Sequence, residues 1–226
     1  MAKSSDRILL TGASGTLGSQ VLSTLRTKTL FALTTVGRRT PMGMRPKDVH
    51  LAVNFGEPQS VDQIAQQLDH EESSFRAAVF MAGIDSRQGS RSLQAAAFVK
   101  AMQVNCLAHL QILRQLVTSR SGPRSPLQVI AVSSDVVNSS QKATAVYAAS
   151  KAALEEGLRH ATSESCLRVV LVRLPALGTA MKEVAEGVST FRGDEVMRPL
   201  GAGLADRIAV SLKEDLHRLP VMEVWQ

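Results

Sequence analysis

Tyr147 and Lys151, in the stretch AVYAASKAAL (145–154), have the types and spacing to do chemistry together. The surrounding alanines favour a helix, and residues four apart on a helix lie one above the other on the same face. An ordinary phenol titrates near ~10. A neighbouring ammonium group favours the phenolate, so the pair reads as a proton donor with its pKa adjuster. The competing reading is a buried aromatic whose hydroxyl is hydrogen-bonded. Tyr147 is the chain's one tyrosine.

A second constellation lies near the N-terminus. In TGASGTLGSQV, Gly12, Gly15 and Gly18 follow a short apolar run and open a helical pattern. Gly12 would allow the tight turn, Gly15 the close approach of a pyrophosphate and Gly18 close packing of helix on sheet. Ser14, Thr16 and Leu17 complete a loop whose N–H groups would meet phosphates at the helix N-terminus. A plain βα turn rich in glycine is the alternative. The next apolar run ends TTVGRRT, with Gly37 where a carboxylate would bind a ribose hydroxyl, and Arg38 and Arg39 after it. Arginines bind a 2′-phosphate with charge-assisted bonds, which favours NADP(H) over NAD(H).

Chemistry of this kind needs a scaffold to position it. Apolar runs at 7–12, 31–37, 50–55, 77–83, 127–134 and 167–174 alternate with helical patterns at 16–29, 59–70, 92–118 and 144–164. Several runs are apolar almost throughout, as in parallel strands covered on both faces. Such alternation predicts βαβ units wound into an open α/β fold, a doubly wound parallel sheet. A substrate flap at about 180–200, a helix near 201–216 and a terminal strand complete the expected order.

Composition limits the alternatives. The 226 residues suit a single domain over 1–226, and 44% hydrophobic with 20% charged residues describes an ordinary globular protein. A formal charge of +6 without a dense basic run or interleaved aromatics argues against nucleic-acid binding and suits an anionic small molecule. Cys106 and Cys166 lack metal-like spacing and read as reduced thiols of a cytoplasmic protein; no metal site is expected. The opening MAKSSDRILLTG is too short in apolar length for a signal peptide, and no stretch approaches a membrane span.

The ordered set TGASGTLG, MAG (81–83), VNCLAHL (104–110), VIAVSS (129–134), YAASK (147–151) and RLPALGT (173–179) resembles the short-chain dehydrogenase/reductase family from about residue 6 to 182. The resemblance implies a Rossmann-type fold. It also implies catalytic roles for Asn105, Ser134, Tyr147 and Lys151. Tyr147 would exchange a proton with the substrate oxygen, and Ser134 would donate a hydrogen bond to it. Lys151 would also hold the nicotinamide ribose, and Asn105 would support a water leading to Lys151. By the same matching, Asn54, Ala82 and Gly83 lie near the adenosine, and Leu177 and Thr179 meet the carboxamide. Three features depart from the family pattern. The glycine spacing is that of the epimerase-like branch, Phe80 and Met81 replace two asparagines that anchor a loop, and the proline of LPA is moved by one position.

The expected activity is NADPH-dependent reduction of a carbonyl to an alcohol, or its reverse, on a small-molecule substrate. Asp85, Arg87, Asp135 and Asn138 are candidate pocket residues, or else solvated loop positions. A redox-neutral epimerase or dehydratase and a non-catalytic dinucleotide sensor are the alternatives. Only about 45 residues follow the last motif, which argues against the epimerase branch's larger substrate domain, and Ser134 and Tyr147 have no use in a sensor. The helix at 92–118 is apolar around most of its circumference and the Tyr147 helix is rich in small residues, a pattern that fits pairing into homodimers or homotetramers.

Overall fold

The computed structural model describes residues 7–70, 75–85, 95–119, 126–138, 145–163, 167–175, 194–212, 214 and 220–225. Strands form where apolar residues face both ways. In β5 (Leu127–Ser134) every position is buried. Alternate side chains of the sheet enter opposite cores: Leu9, Ala78, Val129, Ala131 and Leu171 one, Ile8, Leu10, Val79, Ile130 and Val170 the other. That alternation is the strand's two-residue period, with both faces covered by helices.

The other strands are β1 (Arg7–Thr11), β2 (Ala32–Gly37), β3 (Val49–Ala52), β4 (Phe75–Phe80), β6 (Leu167–Leu174) and β7 (Met222–Trp225). They pair in parallel in the order β3-β2-β1-β4-β5-β6-β7, the doubly wound Rossmann-type arrangement. The order reverses between β1 and β4, and in such sheets ligands bind in the crevice beyond the carboxyl ends of those strands. The glycine loop stands at that point.

The helices are α1 (Thr16–Lys28), α2 (Pro58–His70), α3 (Ala95–Met102), α4 (Ala108–Thr118), α5 (Ala145–Ala161) and α6 (Asp194–Ser211). The expected single helix at 92–118 is interrupted by a π-helical turn, Gln103–Leu107, which joins α3 to α4. Helix α6 begins well before the predicted 201, inside the region assigned to a flap, and ends before 216. Pro199, Gly201 and Gly203 hide the period in the sequence. Leu204, Ala205, Ile208 and Ala209 recur at helical spacing and are buried in the core shared with α1, so tertiary packing overrides weak propensity. Strands β3 and β4 end before the predicted 55 and 83 because the chain turns there to form the site.

Candidate active site

The glycine loop takes its shape from steric need. Gly12 has a φ of 71°, a left-handed conformation that favours glycine, and a Cβ there would lie 2.7 Å from the Ala82 nitrogen. A Cβ on Gly18 would run into the Gly12 carbonyl, so α1 rests directly on the turn. Gly15 is the exposed N-cap of α1, no side chain caps the helix there, and no acidic residue occupies its first turn. Thr16 and Leu17 therefore open a helix whose positive dipole end faces the crevice. Ser14 lies part-buried in the same loop.

At the end of β2, Arg38 and Arg39 are exposed, and nothing lies within 4 Å of where a Gly37 Cβ would be. Asn54 follows β3 and closes a local turn. Its side-chain oxygen accepts from the Gly56 N–H at 3.1 Å and its amide donates to Glu57 at 2.7 Å. This Asx turn leads into α2. Ala82 and Gly83 leave β4 against Gly12 and Asn105 respectively.

Asn105 lies in the π-helical turn, fully buried. Its side-chain oxygen accepts from Ile84 N–H at 2.7 Å, while its amide donates to the Ile84 carbonyl and the Ser150 hydroxyl, both at 2.9 Å. Ser150 in turn donates to the Tyr147 carbonyl at 2.8 Å. Asn105 thus clamps the loop after β4 to the helix that carries Tyr147. A π turn inserted into an α-helix commonly marks a functional position.

Helix α5 places Tyr147 and Lys151 as their spacing predicts, with the Lys151 Nζ 5.9 Å from the centroid of the Tyr147 ring. Lys151 is 3% exposed and donates to the Val132 carbonyl at 2.8 Å. Burial pushes its ammonium down to about 8, with the Glu155 carboxylate working in the opposite direction. Glu155 itself is held by Arg173 through bonds of 2.6 and 3.1 Å. Burial pushes the Glu155 carboxyl up, but the bonds and charge of Arg173 outweigh it and keep the group below the usual carboxylate range. Ser134 ends β5, buried, and its hydroxyl donates to Asp135 at 3.3 Å. Asp135 and Asn138 are exposed at either end of a 3₁₀ turn, and Asp85 is part-buried after β4. Arg87, Leu177 and Thr179 lie outside the described residues, as does Cys166; Cys106 is a buried free thiol.

The Lys151 shift gives a pH prediction. The folded value of about 8 lies below the ordinary 10.5, so between them the unfolded chain holds a proton that the folded chain has released. Stability therefore rises with pH across that window, by up to about 3 kcal/mol from this residue. Urea unfolding of wild type and Lys151→Met at pH 8 and 10 should show the extra rise in wild type alone. Equal changes in the two proteins would contradict the buried, proton-releasing lysine.

Two residues to which the motifs assign no role connect these parts. Thr11, the last residue of β1, accepts at its hydroxyl from the N–H groups of Met81 at 3.0 Å and Ala82 at 3.2 Å. His109 in α4 lies 3.1 Å from the same hydroxyl. A histidine four positions after Asn105, and so on the same face of the helix, was the available signal for it.

The profile of the short chain dehydrogenase family matches residues 6–187, and the chain belongs to that family of oxidoreductases. Solved structures share the fold. An aldohexose dehydrogenase of Thermoplasma acidophilum is 17% identical with a TM-score of 0.78, 98% of this chain and 92% of that one being covered. A short chain dehydrogenase of Shigella flexneri complexed with NADP is 20% identical with a TM-score of 0.77, at 97% and 96% coverage. Another from Escherichia coli CFT073, complexed with NADPH, is 19% identical with a TM-score of 0.73, also at 97% and 96%. No curated protein matches the chain significantly. No helix among the described residues is long and apolar enough to cross a membrane.

Proposed function

We propose that the protein reduces a ketone or aldehyde to an alcohol with NADPH, or runs the reverse reaction. The observation that carries this reading is the buried Lys151 stacked on Tyr147 in α5. The dinucleotide fits the crevice: an uncapped helix N-terminus with no acidic first turn for its pyrophosphate, and two exposed arginines beside an open Gly37 for a 2′-phosphate. The NADP and NADPH complexes of two structural neighbours support the same cofactor. When bound, NADPH supplies hydride to the carbonyl carbon.

The chain's own groups handle the oxygen. Ser134 turns its hydroxyl from Asp135 toward the carbonyl oxygen and stabilises the negative charge that develops there. Tyr147 gives its proton to that oxygen, and the Lys151 cation favours the phenolate left behind. Burial makes this interaction stronger than it would be in water. Asn105 keeps α5 and the loop after β4 in register. Asp85, Asp135 and Asn138, with Arg87, form the polar side of the substrate pocket, and Leu177 and Thr179 meet the carboxamide.

The test is a panel of carbonyl compounds assayed for both NADPH consumption and product. Equimolar consumption supports the reductase. Product without net NADPH consumption supports a redox-neutral epimerase or dehydratase, and no turnover across the panel would favour a dinucleotide-binding sensor.

We also propose a homodimer or homotetramer built on α3 and α5. Phe98, Val99 and Leu107 are exposed along α3 and the π turn, and Ala149 and Ala152 are exposed small residues on α5. Helix α6 packs on α1, on the opposite face of the sheet, and so does not cover this surface. Light scattering at micromolar concentration should show an assembly; a fully active monomer of 24.3 kDa would contradict it.

A further inference from the structure

Phe80, the last residue of β4, and Met81, the first of the loop after it, stand where a polar anchor would be expected, yet that loop presses closely on the glycine loop. Its anchor comes from the other side. A hydroxyl has one hydrogen and two lone pairs. At Thr11 both lone pairs are taken by the Met81 and Ala82 N–H groups, so its hydrogen must go to the remaining neighbour, Nε2 of His109 at 3.1 Å. On that count Nε2 carries no proton and the ring proton sits on Nδ1, which interacts with the Asn105 backbone but makes no well-formed hydrogen bond. The ring is fully buried, with the rings of Phe80 and Phe55 at 5.0 and 5.5 Å. Burial, with the nearby Lys151 charge, pushes His109 down to about 3, so it stays neutral and an acceptor throughout the working range. A histidine so enclosed touches no substrate and is no acid or base for one.

We propose that His109 is a positioning residue for dinucleotide binding: by accepting the Thr11 hydroxyl hydrogen it fixes Thr11 as a double acceptor and so locks the Met81–Ala82 turn against Gly12. This rests on the reading of the crevice as a dinucleotide site. The coupling is direct. Thr11 is bonded to Gly12, and the Ala82 nitrogen lies 2.7 Å from where a Gly12 Cβ would be. Any drift of the turn therefore moves the loop that meets the phosphates. Gly83, next in the chain, abuts Asn105, so the same turn also borders the Lys151 side of the site. Phe80 belongs to the same device, because its ring packs the face of the histidine that replaces the missing anchor.

The test uses His109→Phe, which keeps a ring between Phe55 and Phe80 but removes the acceptor, and His109→Gln, whose amide oxygen can replace Nε2. Thr11→Val removes the hydroxyl itself. Amide hydrogen exchange at Met81 and Ala82 reads the turn without any ligand. It should quicken about 3- to 10-fold in His109→Phe, the scale of one neutral hydrogen bond, and by more in Thr11→Val, which removes the acceptor of both amides. NADPH affinity should fall by a similar factor, seen in KM rather than kcat, and His109→Gln should recover both to within about twofold. The double variant His109→Phe with Thr11→Val should be no worse than Thr11→Val alone, since His109 acts only through that hydroxyl. Unchanged exchange in a folded His109→Phe, no rescue by His109→Gln, or additive losses would each overturn the role. If wild type itself fails to bind NADPH, the dinucleotide reading falls, while exchange at the two amides still decides what His109 does.

Discussion

Tyr147→Phe will cost about 10²- to 10⁴-fold in turnover while NADPH affinity stays nearly unchanged. The substitution deletes one hydroxyl and keeps the ring that lies under Lys151, 5.9 Å from its Nζ. Helix α5 is held by the Asn105–Ser150–Tyr147 chain of bonds, which uses the Tyr147 backbone carbonyl and not its phenol. The expected loss is therefore chemical, not architectural. A proton must reach the substrate oxygen as hydride arrives, and removal of a positioned acid appears in kcat and kcat/KM together. A variant that kept more than about half the wild-type rate would remove Tyr147 from its role.

Arg38→Ala will weaken NADPH by about 10- to 100-fold and leave NADH almost untouched. The reasoning is one of charge. Arg38 stands exposed after β2, beside Gly37, where a carboxylate would otherwise greet a ribose hydroxyl and repel a phosphate. The two cofactors differ only in the 2′-phosphate, so the difference between their losses isolates that contact. One charge-assisted bond is worth roughly 1.5–3 kcal/mol, which sets the factor. Arg39, also exposed, contributes less by its position one residue further on. Equal losses for both cofactors would place the arginine elsewhere, and the preference for NADP(H) would be withdrawn.

What could be read from the sequence was mostly local. Tyr147 and Lys151 declare themselves because four residues on a helix bring them together without help from the rest of the chain. The glycine loop is equally self-contained: its spacing encodes a turn, an open helix end and a close packing contact, each of which the structure shows at Gly12, Gly15 and Gly18. The sheet followed from apolar runs buried on both faces.

The remainder depends on contacts between distant residues. The π turn at Gln103–Leu107 has no signature in the apolar period, because it accompanies bonds between Asn105 and Ile84, a loop residue from an earlier strand end. Thr11 and His109 stand 98 positions apart and meet only once the sheet has formed. The support of Lys151 is likewise split, with Glu155 on its own helix and Arg173 on β6. Asn54 is different, since its partners Gly56 and Glu57 are neighbours and the Asx turn was there to be read. The start of α6 was masked by Pro199 and two glycines, whose propensity argues against the helix that burial stabilises.

The central claim is that hydride passes from NADPH to a carbonyl carbon in this crevice while Tyr147 supplies the proton. NADPH deuterated at the transferable position of its ring, incubated with a carbonyl compound that the enzyme turns over, tests this most directly by mass spectrometry of the alcohol. The account predicts one deuterium on the carbinol carbon, an equal amount of oxidised cofactor, and labelled alcohol formed about 10²- to 10⁴-fold more slowly with Tyr147→Phe. Product that forms without deuterium, or without net oxidation of the cofactor, would contradict it.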